Sequence, residues 1–162
     1  MKNTNKKLHK SLVHFKNLCQ KAGIKCTQQR MIIYSELIQN PTHPDVETVF
    51  KKVRSQLVNI SLDTVYRTLW LFKDIGLITT IGPSRERTRF EPNLNPHHHF
   101  ICTKCGSILD FNSEVMDKLD IQDFIKTIGK VGSLQVNIQG ICLKCEVNDK
   151  TILNQPNKGE EI

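Results

Sequence analysis

Two Cys-x-x-Cys pairs, Cys102-Thr-Lys-Cys105 and Cys142-Leu-Lys-Cys145, constrain this chain more than any other feature. Each pair makes a tight knuckle whose backbone amides can point at its own thiolates. Four thiolates together form a closed tetrahedral zinc site with no coordination position left for chemistry. The 36 residues between the pairs must therefore carry the chain away and return it, as a strand-helix-strand run would. A redox role of the thioredoxin type needs a βαβ context, which neither pair has. The other two cysteines stand apart: Cys19 falls on the apolar face of a helix and reads as core, and Cys26 has no evident partner.

A length of 162 residues suits one mid-sized domain or two of roughly 80 residues. Halves that small bury limited cores, so a structural metal would help either one. Charge divides the chain in the same way. Residues 1–90 hold 16 Lys and Arg against 6 Asp and Glu, whereas residues 91–162 hold 7 against 10. A basic half beside a mildly acidic one points to a polyanion at the first half only. No apolar run approaches the roughly 18–20 residues of a membrane span. The start, "MKNTNKKLHK", has no apolar segment behind its basic residues. A cytoplasmic chain without a membrane partner is expected.

Helical spacing of Leu12, Phe15, Leu18, Cys19 and Ala22 predicts a first helix over 10–22, stopped by Gly23. Thr27 can cap a second over 28–39, with Ile32, Ile33 and Leu37 inward and Asn40-Pro41 at its end. Asp45 can cap a third, with Val46, Val49, Phe50, Val53 and Leu57 on one face, and Ser61 a fourth that Gly76 ends. On that fourth helix Leu62, Val65, Leu69 and Phe72 form the inward stripe; Thr64 and Arg67 face the other way and Tyr66 sits at the border. Two short β-prone runs, "LITTIG" and "TRFE", then flank a basic tip, "PSRER". The outline is that of a winged helix-turn-helix, which lays its last helix in the major groove of DNA.

"EPNLNP", residues 91–96, marks a hinge. Beyond it, "HHFIC" and "SILDF" read as strands, Glu114 to about Thr127 as a helix, and "LQVNIQGIC" as a half-buried strand. The fold class is thus α+β: a winged helix-turn-helix over 1–90, a small α/β domain with a four-cysteine zinc site over 97–147, and a polar tail over 148–162. In an extended 97–101 segment His97 and His99 share a face and His98 points away. Glu91 and Asp110 are candidate acids near that face. Such a histidine-carboxylate set suits Fe2+, Mn2+ or Zn2+.

Together "GIKCTQQR", "HPDVETVF", "ISLDTVYRTLWLF", "RFE", "HHHFICTKCG" and "GICLKC" resemble the ferric uptake regulator (Fur) family, over about residues 10–146. The resemblance implies a homodimeric, metal-dependent transcriptional repressor that binds double-stranded operator DNA. It has a C-terminal dimerisation domain. Cys102, Cys105, Cys142 and Cys145 match the structural Zn2+ site. His43, Glu91, His97, His99 and Asp110 match the regulatory Fe2+ or Mn2+ site; His43 comes from the resemblance alone. Tyr66 and Arg67 match DNA-contacting residues, and Thr64 shares their face. Peroxide-responsive (PerR-type) members carry aspartate as the last ligand, as Asp110 is here. The resemblance thus implies hydrogen peroxide sensing through Fe2+-catalysed oxidation of His43 or His97. Glu91 stands where that type usually has aspartate and Arg67 resembles the uptake regulators, so an iron- or zinc-uptake regulator is the alternative. Leu134 stands where many members have histidine, so no further metal site is expected there. A zinc metalloenzyme lacks support, since no H-E-x-x-H or H-x-E…P-C-x-x-C arrangement occurs; a zinc-ribbon interaction module would make no DNA contacts.

Overall fold

The computed structural model describes residues 2–40, 42–82, 88–120 and 123–153. It divides into two units, Met1–Asn95 and Pro96–Ile162. The division falls at the end of the expected hinge.

The first unit runs α1 (Lys2–Lys21), α2 (Gln28–Ile38), α3 (Val46–Arg54), α4 (Leu62–Asp74), β1 (Thr79–Ile81) and β2 (Arg89–Glu91). Each of the three caps forms as expected. Thr27 Oγ1 accepts from the Arg30 amide, Asp45 Oδ1 from the Thr48 amide and Ser61 Oγ from the Thr64 amide, at 3.3, 2.8 and 3.1 Å. Each satisfies one of the amides that a helix start leaves without a partner. Gly76, with φ 69°, turns the chain out of α4. The core gathers Phe15 and Cys19 of α1, Ile33, Tyr34 and Leu37 of α2, Val49 and Val53 of α3, and Val65, Leu69 and Phe72 of α4. Phe15 is its centre, stacked on Tyr34 at 5.2 Å and edge-on to Phe72 at 5.5 Å between ring centroids. Such pairs add about 0.5–1.5 kcal/mol to the burial itself. β1 and β2 pair antiparallel, Thr80 opposite Phe90. The basic tip, 83–87, lies outside the described residues, as does Pro41.

The first helix begins at Lys2 rather than at residue 10, and two side chains depart from their expected places. Leu62 is 44 % exposed: one residue past its cap, it sits where the helix has just begun and the stripe has not yet met the core. Leu57 packs against the core from beyond α3, which ends at Arg54.

The second unit runs β3 (His98–Cys102), β4 (Ile108–Phe111), α5 (Glu114–Asp117), α6 (Asp123–Ile128), β5 (Asn137–Gly140) and α7 (Leu143–Leu153). Its sheet has the order β4-β3-β5, antiparallel between β3 and β4 and parallel between β3 and β5. The parallel pair requires a crossover, which the stretch from α5 to α6 supplies. That stretch is two short helices rather than the single one expected from Glu114 to Thr127; residues 121–122 lie outside the described residues. α5 closes with the Leu119 amide donating to Met116 O at 3.3 Å. Short helices hold by packing more than by propensity, and here Val115, Phe124 and Ile128 face outward. The expected half-buried strand is likewise shorter, and Ile138 lies exposed. α7 carries the chain to Leu153, into the stretch expected to be a tail; residues 154–162 lie outside the described residues.

Candidate metal centres and DNA-facing helix

The four cysteines meet because β3 and β5 end side by side. Cys102 closes β3 in register with Gly140, the last residue of β5. The strands approach closely there: a Cβ on Gly140 would stand 3.1 Å from Phe100 Cζ. After Cys102 a turn through Gly106, at φ 69°, presents Cys105. After Gly140 the chain enters α7, whose first turn carries Cys145. The four sulfurs lie within 4.8 Å of one another, with Cys102 Sγ 3.9 Å from Cys145 Sγ and Cys105 Sγ 3.8 Å from Cys142 Sγ. A tetrahedron with zinc–sulfur bonds of about 2.3 Å has edges of about 3.8 Å. The residues fit zinc.

Electrostatics around the sulfurs point the same way. The Cys105 amide, then that of Cys142, donate to Cys102 Sγ at 3.5 and 3.4 Å, and hold its thiol down to about 6. Cys145, hydrogen-bonded to Cys142 and then desolvated, is pushed up to about 12. Without a cation this packing accommodates some thiolates and resists the rest; a divalent ion removes the conflict.

At the start of β3, His97, just ahead of the strand, and His99 turn to one face, their rings edge-to-face at 4.6 Å between centroids. His98 turns to the other, against Phe111 at 5.4 Å, with Nε2 3.2 Å from Asp117 Oδ1. Asp110 stands opposite His99 in the β3–β4 register. Its Oδ1 lies 3.9 Å from His97 Nε2 and 3.6 Å from His99 Nε2. Both distances exceed a hydrogen bond, yet an ion with bonds of about 2.1 Å to each partner spans them. Across β3–β5, His99 Nδ1 is 3.2 Å from Asn137 Oδ1. An amide oxygen only accepts, so the Nδ1–H donates to it; in the neutral ring that leaves the Nε2 lone pair toward Asp110.

The first unit gathers its own pair. His43 is buried in a left-handed conformation, φ 50°, alone among the described non-glycine residues. Such a backbone costs on the order of 1–3 kcal/mol and persists where its surroundings fix it. The fixing contacts come from β2: the Phe90 amide donates to Pro44 O at 3.0 Å and Arg89 Nη1 to His43 O at 3.2 Å. The result sets His43 Nε2 against Glu91 Oε2, while Glu91 Oε1 accepts from the Asn93 amide. A buried imidazole and a buried carboxylate, 48 residues apart in sequence, thus converge.

The outward face of α4 carries Tyr66, 47 % exposed, and Arg67, paired to Asp63 Oδ2 at 2.9 Å. Thr64 is half-buried, its hydroxyl 2.8 Å from Ser61 Oγ. Trp70 fixes the helix to the strand pair, edge-on to Phe90 at 6.2 Å.

Residues 21–138 match the ferric uptake regulator family. A curated relative, the peroxide-responsive repressor PerR of Staphylococcus epidermidis, is 33% identical over 127 residues, covering 78% of this chain and 85% of that protein. The chain belongs to the ferric uptake regulator family. Among solved structures, the Helicobacter pylori ferric uptake regulator Fur, described as having three functional metal-binding sites, aligns at TM-score 0.73 and 26% identity. That alignment covers 86% of this chain and 93% of that one. The Campylobacter jejuni peroxide stress regulator aligns at TM-score 0.61 and 27% identity, over 83% and 98%.

As a member of the ferric uptake regulator family, the chain shows the winged helix and the four-cysteine cluster where its motifs place them. One participant escaped the sequence reading. Asn137 lies within a stretch read only as a half-buried strand; its position opposite His99 was hidden without the β3–β5 register.

Proposed function

We propose that this chain is a metal-dependent, DNA-binding transcriptional repressor of the cytoplasm that senses hydrogen peroxide. The observation that carries the reading is the pairing of buried imidazoles with carboxylates on each unit: His43 with Glu91 on one, His97 and His99 with Asp110 on the other. Neither half offers a full donor set for a divalent ion. Together they supply five nitrogen and oxygen donors suited to Fe2+ or Mn2+. Cys102, Cys105, Cys142 and Cys145 hold a permanent Zn2+. An ion that needs both halves stabilises only the arrangement in which they meet, and its leverage is its preference for that arrangement. A near-complete switch takes about 5.5 kcal/mol.

In that arrangement Thr64, Tyr66 and Arg67 of α4 face operator DNA. The exposed apolar residues of the second unit, Val115, Phe124, Ile128, Leu143 and Val147 among them, support a homodimer that presents two such helices to a two-fold site. Among the described residues no helix is long and apolar enough to cross a membrane. Bound Fe2+ would supply the reductant that turns peroxide into a species able to add oxygen to an imidazole. His43 and His97 are the rings exposed to it, and a ring so altered no longer donates as before. Asp110 and the peroxide-responsive relative favour this sensing mode. Glu91 and Arg67 favour a second reading, an iron- or zinc-uptake regulator built on the same two halves.

Selection of duplexes from a random pool with Mn2+-loaded protein tests the regulator role. A two-fold motif should be enriched, with chelation of Mn2+ abolishing its binding and Arg67→Ala weakening it at unchanged zinc content. Enrichment of no motif, or binding indifferent to chelation and to Arg67→Ala, would contradict it.

A further inference from the structure

Both cations of α4 are engaged by the helix itself. Arg67 is paired to Asp63 Oδ2 at 2.9 Å, and the Lys73 ammonium lies over the Trp70 ring, 4.8 Å from its centroid. A polyanion held against this helix needs cations that are free, and α3 offers them. Its last turn carries Lys51, Lys52 and Arg54. Lys51 and Arg54 are exposed and, among the described residues, make no ion pair. They line one cleft together with Glu47, Phe50, Ser55 and Leu62. Leu62 is the first residue of α4, so the cleft lies where the two helices meet. Within it the Arg54 guanidinium lies over the Phe50 ring, 5.7 Å from the centroid. Such a contact holds the group in place and leaves its N–H donors for a second partner.

We propose that this cleft, through Lys51 and Arg54 of α3, seats the phosphate backbone of a DNA duplex beside the DNA-facing helix, an inference that rests on the regulator reading above. The two cations meet phosphate oxygens, while Phe50 and the exposed Leu62 give the deoxyribose an apolar floor. Contacts of this kind carry no sequence information; they fix the register in which Tyr66 and Arg67 meet the base edges. A second cleft shares Glu47 and Leu62 with the first and runs against α4 and β2. Asp45 and Asp63 line it, with no Lys or Arg among its described lining residues. The contrast in charge steers the backbone toward α3 and away from the acidic cleft. It also divides the labour. Arg67 must give up Asp63 to reach a base, so it contributes selectivity, whereas the unpaired Lys51 and Arg54 contribute the affinity that salt screens.

Binding of the full chain, loaded with zinc and Mn2+, to the selected duplex and to a scrambled one of equal length is measured from about 50 to 200 mM salt. Each neutralised phosphate contributes about 0.9 to the slope of log K against log salt, so Lys51→Gln or Arg54→Gln, carried by both copies of the proposed homodimer, should lower the slope by about 1.8. The loss should be equal on the two duplexes. Lys51→Arg should keep the slope, as should Lys130→Gln, which removes an exposed cation of the second unit. Slopes unchanged in both glutamine variants, or a loss confined to the selected duplex, would overturn the proposal and leave the regulator reading standing on wild-type binding. Cations in the last turn of a helix also complement its dipole. Glutamine variants that melt at lower temperature with the slope intact would reduce Lys51 and Arg54 to that role. A wild-type chain that binds neither duplex would remove the regulator reading and this inference with it.

Discussion

The two units solve the problem of small size in opposite ways. The first closes an apolar core of its own around Phe15, Tyr34 and Phe72, with side chains from all four helices. Among the described residues of the second, the buried apolar side chains are Cys102 and Ile108, while Phe124 and Leu143 are 65 % and 78 % exposed. A sheet of three short strands with so little behind it needs something else to hold it. The four sulfurs at the ends of β3 and β5 give one answer, and the homodimer proposed above would give another. The difference teaches where each kind of metal can act. A cluster whose ligands all come from one unit can stabilise only that unit, whereas an ion shared, as proposed above, between His43/Glu91 and His97/His99/Asp110 would report on the state of both.

Cys102→Ser strikes this contrast hardest. Structural zinc contributes folding free energy directly, so the second unit should lose its hydrogen-exchange protection while amides of α2 and α4 keep theirs. Uniform loss across both units, or none, would erase the distinction. A smaller effect is expected from Asn137→Ala, which removes the acceptor that orients His99. Metal affinity at the regulatory site should fall by about 10–100-fold with zinc retained, measured by competition with a chelator; unchanged affinity would mean that the ring is held by packing alone. Smallest is Asp45, whose loss should touch the first unit only. Burial alone would raise its carboxyl, but the hydrogen bonds from Thr48 win and hold it below its ordinary value of 3.8. A carboxyl depressed in the folded chain contributes fully above its unfolded value and loses that contribution as pH falls through the folded one. Asp45→Ala should therefore cost about 1 kcal/mol near neutral pH, and the difference from wild type in thermal melts should shrink below about pH 4. A difference that persists into stronger acid would remove the carboxylate from the explanation.

What could be read without coordinates was whatever local chemistry decides. Thr27, Asp45 and Ser61 declare helix starts because a cap is made within three residues. His97 and His99 share a face because a strand alternates. The knuckles need only their own spacing. Asp110 was reachable because a hairpin pairs neighbours in sequence. His43 was not, since its place depends on a left-handed backbone stitched to β2 from 46–48 residues away; only family resemblance named it. The place of Asn137 opposite His99 depends on a parallel register, which leaves no periodic trace. The run from Glu114 to Thr127 read as one helix because its apolar spacing is helical. Those apolar residues meet no core within their own unit, and two short helices result.

The most direct test of the account is peptide mass spectrometry on Fe2+-loaded protein prepared without oxygen, before and after a brief dose of hydrogen peroxide. One oxygen added to the peptide carrying His43 or His97, absent when Mn2+ replaces Fe2+, is the predicted result. Unmodified histidines, with metal still governing DNA binding, would contradict peroxide sensing and leave a metal-uptake regulator.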